Sequence, residues 1–274
     1  MADVRRLIIL ILCALLIFES IILLNAGFFD KDVLDRINEG YKNYYNSQSD
    51  DETIEENIET NEPVEEEEDN NIDHEDERDK LDRLEAEERG LLILVNKQNH
   101  LDPDYKPDDL EPIRYFASDR SSATRYMRAE AAEQFHKLVE AAREEGYEIV
   151  MTTAYRSYGF QKILWDNYVA REGEEAANRF SARPGQSEHQ TGLAVDISAP
   201  SVNYALTEDF ANTDEGKWVA ENAHKFGFII RFPKEKEHIT GYLYEPWHLR
   251  YVGEKVATRI YEQGLTLEEY LETP

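Results

Sequence analysis

The sequence predicts an α+β fold, and three observations carry that expectation. Helix-periodic and strand-like segments are intermixed after residue 90. They lack the regular strand-helix alternation of a doubly wound parallel sheet. No internal repeat organises them. Composition divides the 274 residues further: 1–29 is expected to be a cytoplasmic stub and transmembrane anchor, 30–90 an acidic and largely disordered linker, and 91–274 the folded domain.

The run from Leu7 to Phe29 is almost wholly apolar, interrupted by Glu19, Ser20 and Asn25, and Arg5 and Arg6 precede it. That length spans a bilayer as one helix. The arginines favour a cytoplasmic N-terminus, which puts everything after Phe29 outside the cell on a single-pass anchor. A cleaved signal peptide is the competing reading, because Asn25-Ala26-Gly27 offers small residues at the outer end. Leu24 breaks the small-x-small pattern and favours an uncleaved anchor. The sole cysteine, Cys13, lies inside this run, so cysteine usage reports neither an intrachain disulfide nor a compartment.

Between Asp30 and Gly90, 25 Asp and Glu stand against 7 Lys and Arg, a net of -18 out of the total -28. From Asn46 to Asp79 there is too little apolar surface to offset the entropy of ordering, which predicts a solvated, extended tether. The run Glu65 to Asp69 fits such a self-repelling spacer better than a cation-binding tail. Arg78 to Arg89 has helix-forming composition. Residues 91–274 carry 31 acidic against 21 basic side chains, a net of -10. That balance leaves no basic face for phosphates and excludes nucleic acid as a partner.

Leu91 to Val95 reads as a short buried strand, and Pro103, Pro107 and Pro112 make the following stretch looping. Met127, Ala131, Phe135, Leu138, Val139 and Ala142 then keep helical spacing up to Gly146, with His136 as a half-exposed helix residue. Glu148 to Ala154 reads as a strand that delivers Tyr155-Arg156-Ser157 to its end. A helix over 160–171 is expected to bury Ile163, Leu164 and Tyr168. Ser181 to Glu188, with Pro184-Gly185, reads as a loop.

Beyond that loop, Leu193, Val195 and Ile197 fall on one face of a short strand and Ala194 and Asp196 on the other. A turn at Thr191-Gly192 can swing His189 back over Asp196. A helix capped by Asp214 is expected to run through Trp218 and Ala223 to Gly227. A strand over 228–232 and a helix over 254–263 follow, and Thr266 with Glu269 makes a capping box for a short terminal helix.

Two histidines and one carboxylate are a usual ligand set for catalytic zinc, which keeps a fourth position open. His189, Asp196 and His248 supply that set. Glu245 lies three residues before His248 with Pro246 between them, and is the candidate base for a water attacking a carbonyl. The competing structural reading pairs Glu245 with an arginine and leaves His248 at a strand end.

Three stretches carry a family resemblance: Ser187-x-His189-x-x-Gly192-x-Ala194-x-Asp196, Glu245-Pro246-Trp247-His248-x-Arg250-Tyr251, and Tyr155-Arg156-Ser157 with Gln161. Over Leu91 to Gly264 the chain resembles the VanY-type D-alanyl-D-alanine carboxypeptidases and related L,D-carboxypeptidases of bacterial cell walls. The resemblance implies a compact zinc-peptidase domain, a small antiparallel sheet flanked by helices with zinc in a cleft on the sheet. It implies His189, Asp196 and His248 as zinc ligands and Glu245 as the catalytic acid/base. Arg156 matches an arginine used near the substrate or the developing oxyanion, and a fixed guanidinium suits a terminal carboxylate or a negative transition state alike. Ser187 is expected to hydrogen-bond substrate or orient a ligand, Gln161 to contact substrate, and Trp247 to pack beside the metal.

The expected activity is removal of a C-terminal D-amino acid, D-alanine above all, from peptidoglycan stem peptides. An endopeptidase on the same zinc chemistry and a non-catalytic zinc-stabilised cell-wall binding module are the alternatives. Glu245 weighs against the module, because a structural zinc has no use for a base. The protein is expected to be monomeric.

Overall fold

The computed structural model describes residues 71–118 and 120–272. Its first half runs α1 (Asn71–Glu88), β1 (Leu110–Pro112), β2 (Tyr126–Arg128), α2 (Ala129–Glu144), β3 (Val150–Thr153), α3 (Tyr158–Glu172) and α4 (Glu174–Phe180). The second half runs β4 (Ala194–Ser198), α5 (Asp214–Asn222), β5 (Phe228–Phe232), α6 (Glu237–Thr240), β6 (Glu245–Tyr251), α7 (Glu254–Gln263) and α8 (Leu267–Glu272). The expected membrane helix over 7–29 and the acidic linker over 30–70 lie outside the described residues. No helix among the described residues is long and apolar enough to cross a membrane.

Four short strands form an antiparallel sheet in the order β3-β4-β6-β5, and β1 pairs with β2 in a separate ribbon. The expected α+β class, small antiparallel sheets flanked by helices, is what the chain adopts. Period-two alternation gives the main sheet two faces. Leu193, Val195, Ile197, Leu249 and Tyr251 enter the hydrophobic core, where α2 contributes Ala131, Phe135, Leu138, Val139 and Ala142 from one stripe. Burying each large apolar side chain contributes about 1.5–3 kcal/mol. The opposite face carries Asp196 and His248, placed side by side by the β4–β6 register.

Several local expectations shift. Leu91 to Val95 is a buried loop, because the carbonyls of Leu91 and Ile93 accept from the Arg250 guanidinium at 2.8 and 2.9 Å and have no strand to pair with. Met127 belongs to β2, opposite Glu111, and α2 begins only at Ala129. Helix α3 buries Gln161 and Trp165, while Ile163 is 41% exposed, so its inward face is rotated from the expected one. Thr213, not Asp214, caps α5, since its hydroxyl accepts from the Gly216 amide at 3.0 Å. Of the expected linker, 71–88 forms helix α1, tied to the domain by Lys255–Asp82 at 2.6 Å, by Arg259 with Asp79, and by Arg83 donating to the Leu271 carbonyl at 2.9 Å. The folded unit therefore starts upstream of Leu91.

Candidate metal centre

Three elements bring the donors together. A short 3-10 turn, Glu188–Thr191, carries His189 and ends at Gly192 in the left-handed region, φ +70°. A Cβ at Gly192 would lie 2.9 Å from Leu110 Cδ2 and 3.2 Å from Arg128 Cγ, so glycine is needed there for space as well as for φ. The chain then enters β4, whose Asp196 stands opposite His248 of β6. His189, Asp196 and His248 each offer one donor atom within 4.8 Å of the others, and all three residues are buried.

The tautomers follow from the outer contacts. His189 Nδ1 lies 2.7 Å from the Ala154 carbonyl at the end of β3, so Nδ1 carries the proton. The lone pair is left on Nε2, 3.3 Å from Asp196 Oδ2. His248 Nδ1 lies 2.8 Å from Asp196 Oδ1. Burial and the Arg156 charge hold His189 low, at about 4, which keeps it neutral and able to donate a lone pair. Burial opposes ionisation of Asp196, but the two histidines outweigh it and hold the carboxyl well below its ordinary range. For His248 burial opposes the charged form, yet the hydrogen bond to Asp196 and the neighbouring Glu188 carboxylate raise it to about 9.

This set fits a zinc ion. Bonds of about 2.0–2.1 Å at tetrahedral angles put ligand atoms roughly 3.3 Å apart; His189 Nε2 and Asp196 Oδ2 stand at 3.3 Å, and all three donors lie within 4.8 Å of one another. The Nε2 atom of His189 is buried without a hydrogen-bond partner, as a ligand atom facing an ion would be.

The donors form the floor of a cleft of about 370 Å³. Arg156, Gln161, Ser187, His189, Asp196, Glu245 and His248 all line it, so every residue singled out from the sequence meets in one place. Glu245 Oε2 is 4.0 Å from His248 Nδ1. Burial raises the Glu245 carboxyl to about 7, with His248 and Arg156 pulling the other way and Asp196 adding to the rise. Arg156 has a buried Nε without a partner, and its amide donates to the His189 carbonyl at 3.1 Å. Gln161 is tied through Nε2 to the Ala182 carbonyl at 2.7 Å, while its buried Oε1 is unpartnered. Trp247 lines the cleft and packs partly against the core.

Among the other histidines, His136 accepts from the Arg114 amide at 3.1 Å and His224 stacks on Tyr261 with ring centroids 4.1 Å apart. Neither joins the cluster.

Sequence reasoning missed Glu188, Arg231 and the task of Arg250. Both arginines are fully buried. Arg231 Nε and Arg250 Nη1 both donate to Glu188 Oε1, at 2.7 and 2.8 Å. Arg231 also grips Glu268 of α8 with two bonds of 2.8 and 2.7 Å. For Arg231 the available signal was a charge inside the otherwise apolar strand Phe228–Phe232, since such a charge is tolerated only when paired; the polar run around Glu188 offered none. Phe232, stacked on the His248 ring at 4.9 Å, was likewise read only as strand.

A family model described as D-alanyl-D-alanine carboxypeptidase, VanY, matches residues 124–254. The YodJ protein of Bacillus subtilis (strain 168) is 50% identical over 196 residues, covering 70% of this chain and 72% of its own. Among solved structures, the LdcB LD-carboxypeptidase superposes with a TM-score of 0.63 at 52% identity, covering 65% of this chain and 84% of that one. A mutant of the vancomycin resistance D,D-pentapeptidase VanY from the VanB-type cassette, in complex with Zn(II), gives a TM-score of 0.56 at 37% identity over 66% of this chain and 99% of that one. With the donor set and the sheet that carries it, these kinships have one meaning: the chain belongs to the VanY family of D-alanyl-D-alanine carboxypeptidases.

Proposed function

We propose that this protein is a zinc-dependent carboxypeptidase that removes the terminal D-amino acid, D-alanine, from peptidoglycan stem peptides. One observation carries the reading: a three-donor set with an open side, a carboxyl raised to about 7 and a half-buried guanidinium share one cleft. The Zn(II) bound by the VanY relative supports the metal, and the LdcB and VanY relatives support the substrate class.

His189, Asp196 and His248 would hold the ion, with Nε2 of His189 and Nδ1 of His248 as the nitrogens turned toward Asp196. When bound, zinc supplies Lewis acidity that eases deprotonation of water and polarises an amide carbonyl. Glu245 accepts the proton of the attacking water and passes it to the leaving amine nitrogen, work suited to a carboxyl poised near neutrality. Arg156 faces the negative charge of the substrate, at its terminal carboxylate or at the oxyanion that develops on attack. Ser187 and Gln161, whose Oε1 is free to accept, hold the peptide along the cleft wall.

The test incubates the detergent-solubilised full-length protein, zinc-loaded, with pentapeptide and tetrapeptide stems, and identifies products by mass. Release of one alanine from either supports the reading and separates D,D from L,D preference. Cleavage inside the stem or cross-bridge instead means an endopeptidase. No cleavage with zinc confirmed bound removes the enzymatic claim.

The run from Leu7 to Phe29 is proposed to anchor the chain in the cell membrane, with the acidic stretch after it as tether and the catalytic domain outside. Protease treatment of intact cells should then release a soluble, active, monomeric domain. Recovery of the intact chain in the cytosolic fraction would contradict the anchor.

A further inference from the structure

The 3-10 turn that carries His189 also carries Glu188, and the two neighbours serve different histidines. Glu188 Oε1 takes both arginines, Arg231 Nε at 2.7 Å and Arg250 Nη1 at 2.8 Å. Its other oxygen, Oε2, is buried with no hydrogen-bond partner, and so is Nε2 of His248. These two orphaned atoms face each other at 3.5 Å. On its other side the His248 ring presents Nδ1 to Asp196 at 2.8 Å, and Phe232 stacks on it.

We propose that Glu188 is a positioning residue for the metal centre: its Oε2 accepts the Nε2 proton of His248, which commits the Nδ1 lone pair of that ring to the metal. The inference rests on the zinc reading given above. The separation of 3.5 Å is long for a hydrogen bond, and the proposal requires the zinc-loaded site to bring the two atoms within bonding distance. The two guanidiniums keep Glu188 an acceptor only, so it cannot offer His248 a proton in return. The arrangement is reciprocal with that of His189, whose Nδ1 is fixed by the Ala154 carbonyl so that Nε2 is free. One ring is thus held by backbone and the other by a clamped carboxylate. The opposite nitrogen is left as the donor in each case, and both donors meet on Asp196.

Zinc affinity, measured by chelator competition on the full-length protein, tests this. Glu188→Gln, whose amide can turn a donor toward His248 Nε2, is expected to weaken zinc ten- to a hundred-fold, the usual effect of removing an outer carboxylate from a ligand histidine. Glu268→Gln is the control, because Glu268 binds the same Arg231 yet touches no metal donor. Its expected loss is less than about three-fold. Equal losses in the two variants would mean that Glu188 acts only through the ion network, and no loss in Glu188→Gln would overturn the proposal outright.

Should Glu188→Gln not fold, the wild type answers by itself. Nitrogen-15 NMR of the zinc-loaded protein is expected to show His248 protonated at Nε2 and metallated at Nδ1. The reverse pattern overturns the proposal. A wild type that binds no zinc removes the metal reading itself and this inference with it.

Discussion

Arg231 is the side chain whose removal best tests how the domain is held together. It is fully buried and makes three charge-assisted bonds, one to Glu188 at 2.7 Å and two to Glu268 at 2.8 and 2.7 Å. In Arg231→Met the volume is nearly kept but Glu268 loses both arms of the fork, retaining Asn96 Nδ2 at 3.1 Å. Glu188 fares better, since Arg250 still donates at 2.8 Å. Breaking a buried pair by removing one partner typically costs about 3–5 kcal/mol, because the remaining charge is left desolvated. With an m-value of about 2 kcal/mol/M, the urea midpoint should fall by roughly 1.5–2.5 M. Tryptophan fluorescence reports it, since Trp218 lies in the core. Adding Glu268→Leu removes the orphaned carboxylate, so the double variant should be more stable than Arg231→Met alone. Costs that simply add, or a single-variant cost below about 1 kcal/mol, would refute the view that the orphaned charge dominates.

Four further outcomes follow from the same geometry. Glu245→Gln should keep stoichiometric zinc while kcat falls about 10²- to 10⁴-fold, read by metal analysis and alanine release; unchanged turnover would mean the base lies elsewhere. Gly216→Ala would place a Cβ 1.9 Å from the Phe210 carbonyl oxygen, and should cost more than about 4 kcal/mol in thermal melts, whereas a normal melting temperature would mean that the α5 N-terminus shifts freely. Glu188 should make the protein acid-sensitive. Burial opposes its charge, but Arg231 and Arg250 hold its carboxyl well below the ordinary range. The stability it adds is therefore complete above the unfolded-chain value of about 4.3 and drains away as pH falls below it, so urea midpoints from pH 7 to 3 should drop more steeply in wild type than in Glu188→Gln. Removing zinc with a chelator should lower the melting temperature, by about 2.7 kcal/mol of stability relative to free zinc at a hundred times its Kd; an unmoved melt would show that folded and unfolded chains bind the ion alike.

Where a signal is local, the sequence is a reliable guide to this fold. The strand over Phe228–Phe232 and the helix over Glu254–Gln263 occupy the expected residues. The terminal capping box forms with both of its bonds, Glu269 N to Thr266 Oγ1 at 3.1 Å and Thr266 N to Glu269 Oε2 at 2.8 Å. Each depends on neighbours within one turn or one pleat. Leu91 to Val95 shows the limit. Its composition suits a strand, but whether its carbonyls find a strand or a guanidinium depends on Arg250, which lies 159 residues beyond Leu91 and 157 beyond Ile93. The face of α3 failed for a related reason, since apolar residues around that helix admit more than one inward stripe and packing chose Gln161 and Trp165.

The donor set was legible because few side-chain types bind zinc, because His189, Asp196 and His248 make up a usual ligand set with Glu245 as a base beside them, and because the motifs around them resemble those of the VanY family. What the sequence determined by itself, then, was the identity of the chemical groups and the local elements that bear them. Only the tertiary structure decided how those groups are aimed. The β4–β6 register sets Asp196 beside His248, the Ala154 carbonyl selects the tautomer of His189, and two buried arginines clamp Glu188 against His248. Hydrogen bonds and ion pairs are short-ranged and directional, so these outcomes depend on ångström-scale contacts between residues distant in sequence.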